Sequence, residues 1–416
     1  IRKGRQVAPA AEWLLDNYYL IEEQVRTTRQ HLPADYSRQL PRLTAGELKG
    51  FPRVYSLTME LVSHTDGRIN AQVVTQFVRA YQGVAPLRLG ELWAVPIMLR
   101  LTLIENLRRV AYRIAWRRRH RDLALEWTQR FERAQRQGGR DLITTLADLV
   151  RSDPPTSAPF IAELAGGLQA ISFNLAINWL EDELARRGQT LEAIQQAESQ
   201  DQAADQVSIG NSITSLRALG AIDWRNFVES LSVTEAVLRR DPCGVYARCD
   251  FATRDDYRHI VEHLARRSGW EEEQVAERAV RLANDRLSQG HGDRQCHVGY
   301  YFYGQGRLEL EREIGYRPTL RRRLARIGGR RPFQVYMNFL VLALLVLAGP
   351  LLLASQVLID THGWAAFLIL SGAVLLAASE PAFTLVNWLC TLLVPPYRLA
   401  RLDLAKGVEE EQTTAI

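Results

Sequence analysis

The longest apolar stretch of the chain lies close to its carboxyl end. Residues Phe339 to Ile359 contain no charged side chain and are long enough to cross the roughly 30 Å hydrocarbon core of a bilayer as a helix. A short break, Asp360–Gly363, separates this run from a second one that extends from Trp364 to Leu393. The pattern predicts a transmembrane helical hairpin. Gly349 and Pro350 do not oppose it, because lipid-embedded helices tolerate both residue types.

Basic residues crowd both flanks of the predicted hairpin, whereas the break between the two runs contains no Lys or Arg. Because positive charge favours the cytoplasmic side, we expect both ends of the hairpin in the cytoplasm and the connecting loop outside. The alternative is a buried hairpin in a soluble protein, but a first span without charge on any face is hard to cover in such a fold. The flanking residues are Arg317, Arg321, Arg322, Arg323, Arg326, Arg330 and Arg331 before the hairpin, and Arg398, Arg401 and Lys406 after it.

The rest of the chain shows helical periodicity, without long alternating segments or hairpin turn pairs. We therefore predict a mostly α fold, in which a multi-helix cytoplasmic body is followed by the transmembrane helical hairpin. The predicted helical segments are about Ala11–Gln30, Phe51–Gly83 with an interruption at His64–Gly67, a helix that opens at Pro96 and is broken at Gln137–Gly139, Phe160–Arg187, Thr190–Glu198, Ala204–Arg217, a helix after Asp223, a helix from Thr253, and Glu271–Ser288.

Polar residues at the start of several segments are suited to capping helices. Thr190 and Asp223 precede apolar periodic runs, and Thr253–Asp256 resembles a capping box. The sequence Asp241–Gly244 is typical of a turn.

Small polar residues follow a helical period between Ala204 and Arg217. Because small side chains let another helix approach, we expect Gly210 and Ser212 to lie at a close contact. We interpret this segment as a packing element rather than a binding site. Its predicted apolar edge consists of Val207, Ile213, Leu216 and Leu219.

Composition changes this picture little. The chain has 416 residues and a net charge of +5, and its 52 basic residues are arginines except for Lys3, Lys49 and Lys406. We attribute the preference for Arg to a GC-rich genome rather than to a ligand. The densest basic run, Trp116–Arg121, could contact phosphates, but no nucleic-acid-binding fingerprint accompanies it. We therefore predict no nucleic-acid partner.

The cysteines and histidines form no convincing metal site. His259, Glu262 and His263 match the H-x-x-E-H spacing of some zinc peptidases, but no third ligand is evident. Cys296 and His297 could be grouped with His291 and Cys249, yet no C-x-x-C pair exists. The four cysteines, which include Cys243 and Cys390, are too few for a disulfide framework, and we expect free thiols.

Enzymatic fingerprints are also missing. Gly304–Gly306 resembles a dinucleotide-binding loop, but Glu309 stands where the third Gly belongs. The sequence contains no G-x-S-x-G motif. It therefore nominates no catalytic, cofactor-binding or metal-binding residue.

Several blocks, spread in one order over nearly the whole chain, resemble the amino-terminal part of bacterial cyclic β-1,2-glucan synthases. They are Ala11–Asn17 (AEWLLDN), Ile21–Gln24, Gly90–Leu101 (GELWAVPIMLRL), Ile104–Arg109, Gln206–Arg217 (QVSIGNSITSLR), Asp223–Arg225, Asp250–His259 (DFATRDDYRH), the hairpin, and Pro395–Pro396.

This resemblance implies a very large inner-membrane enzyme. In the family, a membrane-embedded glycosyltransferase domain uses UDP-glucose to build a β-1,2-linked chain attached to the protein itself, and downstream domains control its length and close the ring. Such transferases carry an Asp-x-Asp metal motif and a Gln-x-x-Arg-Trp motif. Neither occurs in this sequence, and none of its nine Trp follows an Arg.

The resemblance therefore implies that UDP-glucose and a divalent metal bind in a downstream transferase domain. The chain begins with Ile1 and has no signal-peptide core, and we expect it to be a piece of a longer protein. Its partners would be the lipid bilayer and the downstream domains. A stand-alone membrane-tethered sensor or adaptor is the alternative. The predicted domains are residues 1–137, residues 138–331, the hairpin at 332–397, and a cytoplasmic linker at 398–416.

Overall fold

The computed structural model describes residues 9–31, 34–137, 139–290, 294–319, 331–355, 357–393, 399–404 and 407. These residues form α-helices joined by short loops, with no β-strand among them, which confirms the predicted mostly α fold. The helices are α1 (Pro9–Asp16), α2 (Tyr18–His31), α3 (Ala34–Gln39), α4 (Arg53–His64), α5 (Ala71–Gln82), α6 (Leu89–Gln137), α7 (Gly139–Arg151), α8 (Ala158–Ala170), α9 (Asn174–Ala185), α10 (Leu191–Ala218), α11 (Trp224–Leu231), α12 (Val233–Leu238), α13 (Val245–Arg248), α14 (Phe251–Ser268), α15 (Glu272–Ser288), α16 (Gly299–Phe302), α17 (Arg307–Glu313), α18 (Pro332–Ser355) and α19 (Val357–Leu393).

The chain divides into two compact units, Ile1–Glu235 and Ala236–Ile416. The domain boundary predicted between residues 137 and 138 therefore lies inside the first unit. Helices α6 and α7 meet at this point and contribute Phe131 and Leu149 to the same hydrophobic core, so the packing does not follow that boundary. The division into subdomains at residues 137 and 138 stays a prediction.

The first unit contains two hydrophobic cores that share the long helices α6 and α10. One core combines α1, α2, α4, α5 and α11 with the first half of α6 and the last turns of α10, where Leu99 and Ile213 are fully buried. The other combines the second half of α6 with α7, α8, α9 and the start of α10, around Phe131 and Phe160. The two long helices therefore join both cores into one unit.

Helix α6 begins earlier than the sequence predicts. The prediction places its start at Pro96, whereas the helix begins at Leu89 and continues to Gln137 with the proline inside it. Proline within a helix removes one N–H donor and clashes with the preceding turn. The neighbouring Leu92, Val95 and Leu99 are completely buried, and this tertiary packing stabilises the helix across the proline.

Two further boundaries differ from the prediction. The segment predicted as one helix from Phe160 to Arg187 is divided into α8 and α9 at Ser172, which adopts a left-handed φ of 55°. The segments predicted at 190–198 and 204–217 form one continuous helix, α10. Its predicted cap is confirmed, because the Thr190 hydroxyl accepts a hydrogen bond from the Ala193 N–H at 3.2 Å.

In the second unit, helices α12 to α17 pack around one core that includes Tyr246, Val261 and Tyr301. The predicted turn at Asp241–Gly244 is confirmed, because the Gly244 N–H donates to the Asp241 carbonyl at 2.9 Å. The capping box predicted at Thr253–Asp256 is wrong, because α14 is capped by Asp250.

Helices α18 and α19 form the hairpin. Two segments, Pro332–Ala354 and Gly363–Leu393, are long and apolar enough to cross a membrane. Gly363 interrupts α19 with φ 78° and ψ 172°, at the end of the predicted break. The two helices pack through Ala343, Ala382 and Val386, whose small side chains permit close approach.

Candidate functional site

The hairpin presents most of its apolar surface outward. Only 6% of the most apolar part of the first candidate span is buried, and 11% of the second. Leu353, Ile369 and Leu376 are each at least 66% exposed. A core helix of a soluble protein would be mostly buried, so this exposure favours a lipid environment.

Three of the basic residues predicted to flank the hairpin, Arg317, Arg331 and Arg401, belong to the described part of the chain. The others, Arg321, Arg322, Arg323, Arg326, Arg330, Arg398 and Lys406, lie outside the described residues, as do Pro395, Pro396 and His291.

The chain that leaves the hairpin pairs with the start of α14. The Arg401 N–H donates to the Thr253 hydroxyl at 3.0 Å, and the Arg401 carbonyl accepts from the Asp250 N–H at 2.9 Å. The Asp403 N–H donates to the Arg248 carbonyl at 2.8 Å. These three hydrogen bonds hold the segment that follows the hairpin against the end of α13 and the start of α14.

The local sequence explains why α14 can receive this segment. The Asp250 carboxylate accepts from the Thr253 N–H at 2.8 Å and so caps the helix. The backbone N–H of a cap residue has no partner within its own helix. The Asp250 side chain therefore caps α14, while the Asp250 N–H donates to the Arg401 carbonyl of the segment that follows the hairpin. Asp250 and Thr253 both belong to the block Asp250–His259 that resembles the glucan synthases.

Glu91, in the block Gly90–Leu101, is fully buried and paired with Arg53. Arg53 donates to the Glu91 carboxylate through Nε at 3.0 Å and Nη2 at 2.6 Å, and the Arg88 N–H donates at 3.0 Å. The hydrogen bond to Glu91 raises the pKa of Arg53 against the opposing effect of partial burial. The pair holds the start of α6 against α4. A lone acidic residue in an apolar block is the signal from which this pair could have been predicted.

The small-residue block on α10 binds the loop that follows α4. The Ser215 hydroxyl accepts from the Ile69 N–H at 2.8 Å and donates to the Gly67 carbonyl at 2.7 Å. The Asn106 amide donates to the Ser212 hydroxyl at 3.0 Å. Ser212 therefore lies at a close contact, as predicted, and joins α10 to α6.

Two details of that prediction are wrong. A Cβ added at Gly210 meets no atom within 4 Å, so this glycine is not at the close contact. Val207 is 56% exposed and does not belong to the apolar edge. The remaining predicted members, Ile213, Leu216 and Leu219, are buried.

The buried Asp241 carboxylate pairs with the half-buried His297 imidazole in the second unit. The Asp241 carboxylate accepts from His297 Nδ1 at 2.8 Å, from the Val298 N–H at 2.9 Å and from the Tyr246 N–H at 3.1 Å. Burial alone would raise the pKa of Asp241, but the hydrogen bond and charge of His297 and the two backbone donors hold it below its ordinary value.

His297 also lines an open cleft of about 380 Å³ beside Tyr300 and Tyr303. Among the described residues that line this cleft there is no Ser or Cys that the imidazole could activate as a nucleophile. Gly304 and Gly306, the pair that resembles a dinucleotide loop, lie against the Tyr300 ring, where an added Cβ would collide. We therefore interpret this region as packing around Tyr300.

His259 and His263 do not form a metal site together. His259 lies between Glu262 at 3.1 Å and Asp255 at 3.5 Å, whereas His263 Nε2 lies 3.0 Å from the Tyr316 hydroxyl. Hydrogen bonds to Asp255 and Glu262 raise the pKa of His259 to about 10, which favours a proton rather than a metal on the ring. No group of three or more His, Cys, Asp or Glu side chains in the described ranges could hold a metal ion.

The four cysteines are free thiols, as predicted. Burial raises the pKa of the Cys249 thiol to about 11. Cys296 is buried, and Cys390 packs at the edge of the contact between α18 and α19.

The basic run Trp116–Arg121 does not present all its charges to solvent. Arg117 is buried and lies 2.6 Å from the Asp201 carboxylate and 3.8 Å from those of Glu198 and Asp205. Its charge is therefore used within the first unit, between α6 and α10.

The comparisons with known proteins agree with the blocks quoted above. The chain is 32% identical, over its whole length, to the cyclic β-(1,2)-glucan synthase NdvB of Rhizobium meliloti. This confirms the resemblance to cyclic β-1,2-glucan synthases. The chain spans 14% of the length of that relative, which is consistent with an amino-terminal region of such a synthase. No family model matches the chain.

Proposed function

We propose that this chain is the scaffold and membrane-anchor region of an enzyme that polymerises glucose from UDP-glucose into cyclic β-1,2-glucan. The observation that carries the proposal is the pairing of Arg401 with the start of α14 and of Asp403 with the end of α13. A hairpin used only as an anchor needs no such contact. The three hydrogen bonds, two between backbone groups and one to the Thr253 hydroxyl, fix the direction in which the chain continues after the hairpin. They would so position a transferase domain placed there.

The residues of the glucan-synthase-like blocks support a scaffold role. Glu91, Ser212, Ser215 and the Asp250 N–H each form hydrogen bonds that hold one element of the chain against another. Catalysis, with UDP-glucose and a divalent metal, would belong to a part of the enzyme that carries the Asp-x-Asp and Gln-x-x-Arg-Trp motifs, which this sequence lacks.

The proposed topology places the helical body in the cytoplasm of a bacterial inner membrane, with both hairpin ends on that side. Two features support it. Arg317, Arg331 and Arg401 flank the spans, and the chain that leaves the second span pairs with α13 and α14, which precede the first span.

Reporter fusions test this topology. An enzyme that is active only outside the inner membrane, fused after Gly363, should be active, whereas fusions after Arg331 or Gly407 should be inactive. The reverse pattern would overturn the cytoplasmic placement of the body.

Glucose incorporation tests whether catalysis lies outside the helical body. Purified residues 1–330 should incorporate no labelled glucose from UDP-glucose, while the full enzyme should do so. Activity of the fragment above background would place catalytic residues inside this chain and refute the scaffold role.

A further inference from the structure

Glu380 is an exposed carboxylate inside the second membrane span. It lies seventeen residues after Gly363, where that span begins, which corresponds to about 25 Å along a helix. This distance places it within the roughly 30 Å hydrocarbon core of a bilayer. The side chain has no hydrogen-bond or ion-pair partner among the described residues. An ionisable side chain at this depth is costly unless it is paired.

The opposite end of the span gives an independent measure of depth. The Tyr336 hydroxyl of α18 donates to the Asn387 side chain of α19 at 3.1 Å, and Trp388 beside it is exposed. Tyr and Trp side chains favour the membrane–water interface. Glu380 lies seven residues before Asn387, which is about two turns or about 10 Å deeper along the helix.

Glu380 belongs to a polar stripe on α19, which consists of Glu380, Thr384, Asn387 and Thr391. Their spacing of four, three and four residues places them on one helix face, and all four are exposed. The contact with α18 uses a different face, on which Ala378, Ala382 and Val386 are buried. Asn387 reaches the edge of α18 through Tyr336, whereas Glu380, Thr384 and Thr391 have no side-chain hydrogen bond to α18 among the described residues.

We propose that the polar stripe binds a further membrane-embedded helix, which presents a basic side chain to Glu380. Charge complementarity carries the proposal, since a cation satisfies a carboxylate that is otherwise surrounded by lipid. The two threonines supply hydrogen-bonding groups along the same face. The hairpin is then a docking element as well as an anchor.

A second copy of the hairpin fits this face poorly. Residues 332–393 contain no Lys or Arg, so a neighbouring hairpin would bring a second Glu380 and no cation at this depth. Two carboxylates facing one another in lipid would repel. The basic side chain must therefore come from another membrane helix. This inference rests on the hairpin crossing the membrane, which the reporter fusions test separately, and it does not depend on glucan synthesis.

Photo-crosslinking in the full-length, membrane-inserted enzyme tests the proposal. A photoreactive residue replaces Thr384, on the stripe, or Leu385, one residue away on another face, and mass spectrometry identifies the product. We expect the probe at 384 to crosslink to a peptide from an apolar helix that contains Lys or Arg, and the probe at 385 to yield less of it. Products with lipid only, with a soluble segment, or with a second copy of α19 would each overturn the proposal.

Charge reversal provides a second test. Glu380→Lys should abolish the crosslink from position 384, whereas Glu380→Gln, which keeps hydrogen-bonding capacity, should weaken it. Replacing the basic residue of the crosslinked peptide by Glu should restore the crosslink in the Glu380→Lys background. A crosslink unaffected by Glu380→Lys would show that the carboxylate does not hold the partner helix.

Discussion

Cys249 and Leu402 face one another as an isolated antiparallel bridge, although one precedes the hairpin and the other follows it. The flanking hydrogen bonds join Asp250 to Arg401 and Asp403 to Arg248. Cys249 and Leu402 are thus a non-hydrogen-bonded pair, the type in which Cα atoms lie about 4.5 Å apart. That separation is within the range in which a disulfide can form.

Leu402→Cys should therefore form a disulfide with Cys249 under an added oxidant. Burial and a raised pKa of about 11 make the Cys249 thiol a poor spontaneous nucleophile, so we expect little bond formation in air. Non-reducing peptide mapping would detect the link between the two segments.

Leu404→Cys provides the matched control, because it lies two residues further along and is not paired with Cys249. Equal crosslinking of both variants would show that the segment after the hairpin is not held in this register. In the full enzyme, the locked Leu402→Cys variant should retain glucan synthesis if the contact belongs to the working state.

Gly67 and Ser212 are in tight contact. Adding a single methyl group at Gly67 should therefore lower the free energy of unfolding considerably. Gly67 has a φ of 75°, and an added Cβ would collide with the Ser212 hydroxyl. Gly67→Ala should lower the free energy of unfolding by the cost of the left-handed φ, about 1–2 kcal/mol, and by a further 1–3 kcal/mol or so from overpacking. Chemical unfolding of the purified chain measures this.

Two variants separate these contributions. Gly46 has a similar φ of 83° but no atom within 4 Å of an added Cβ, so Gly46→Ala should show the backbone cost alone. Ser212→Gly should partly rescue Gly67→Ala by removing the colliding hydroxyl. Equal effects at Gly46 and Gly67 would contradict the close contact.

The behaviour of α10 shows what the sequence could predict and where it failed. Its buried edge at Ile213, Leu216 and Leu219 follows directly from helical periodicity. The neighbour of its small residues does not, because Gly210 and Ser212 are equally small and only the tertiary structure brings Gly67 to one of them. The hairpin was predictable because a long apolar run has few alternatives, whereas the bridge between Cys249 and Leu402 has no local signal.

Arg117 forms buried ion pairs that its sequence context does not reveal. In a run of arginines the sequence does not distinguish the buried residue from its exposed neighbours. The Arg117 side chain is 10% exposed and lies between the carboxylates of Glu198 and Asp205, which are 6% and 4% exposed. Removing one partner leaves the others buried without compensation. Arg117→Met should therefore lower the free energy of unfolding by about 3–5 kcal/mol, towards the lower value because Arg113 still pairs with Asp205 at 2.7 Å.

Arg118→Ala is the control, since Arg118 is exposed and a surface change of this kind usually costs within about 0.5 kcal/mol. Urea unfolding of both variants gives the comparison. An Arg117→Met protein as stable as the Arg118→Ala protein would show that the ion pairs contribute no net stability.

The stability of α14 should depend on pH through His259. Hydrogen bonds to Asp255 and Glu262 raise the pKa of His259 to about 10, whereas an unfolded histidine titrates near 6.5 or so. A raised folded pKa means that the proton stabilises the folded state. The contribution is therefore complete below about pH 6.5, declines as the pH rises, and is lost above about pH 10. The carboxylates have lowered pKa values, so their contribution is lost only in acid, as the pH falls through those values.

The expected decline is small, because half of the His259 side chain is exposed and water screens the pair; we expect about 1 kcal/mol or less. The measurement is the difference in free energy of unfolding between the parent and His259→Asn, at pH 6 and again at pH 9. The difference should be larger at pH 6, because the unfolded histidine is neutral at pH 9 and folding must then take up the proton that forms the ion pairs. Taking the difference removes the contribution of every group that titrates alike in both proteins, so a difference that is equal at the two pH values, or larger at pH 9, would show that His259 is not held in its protonated form.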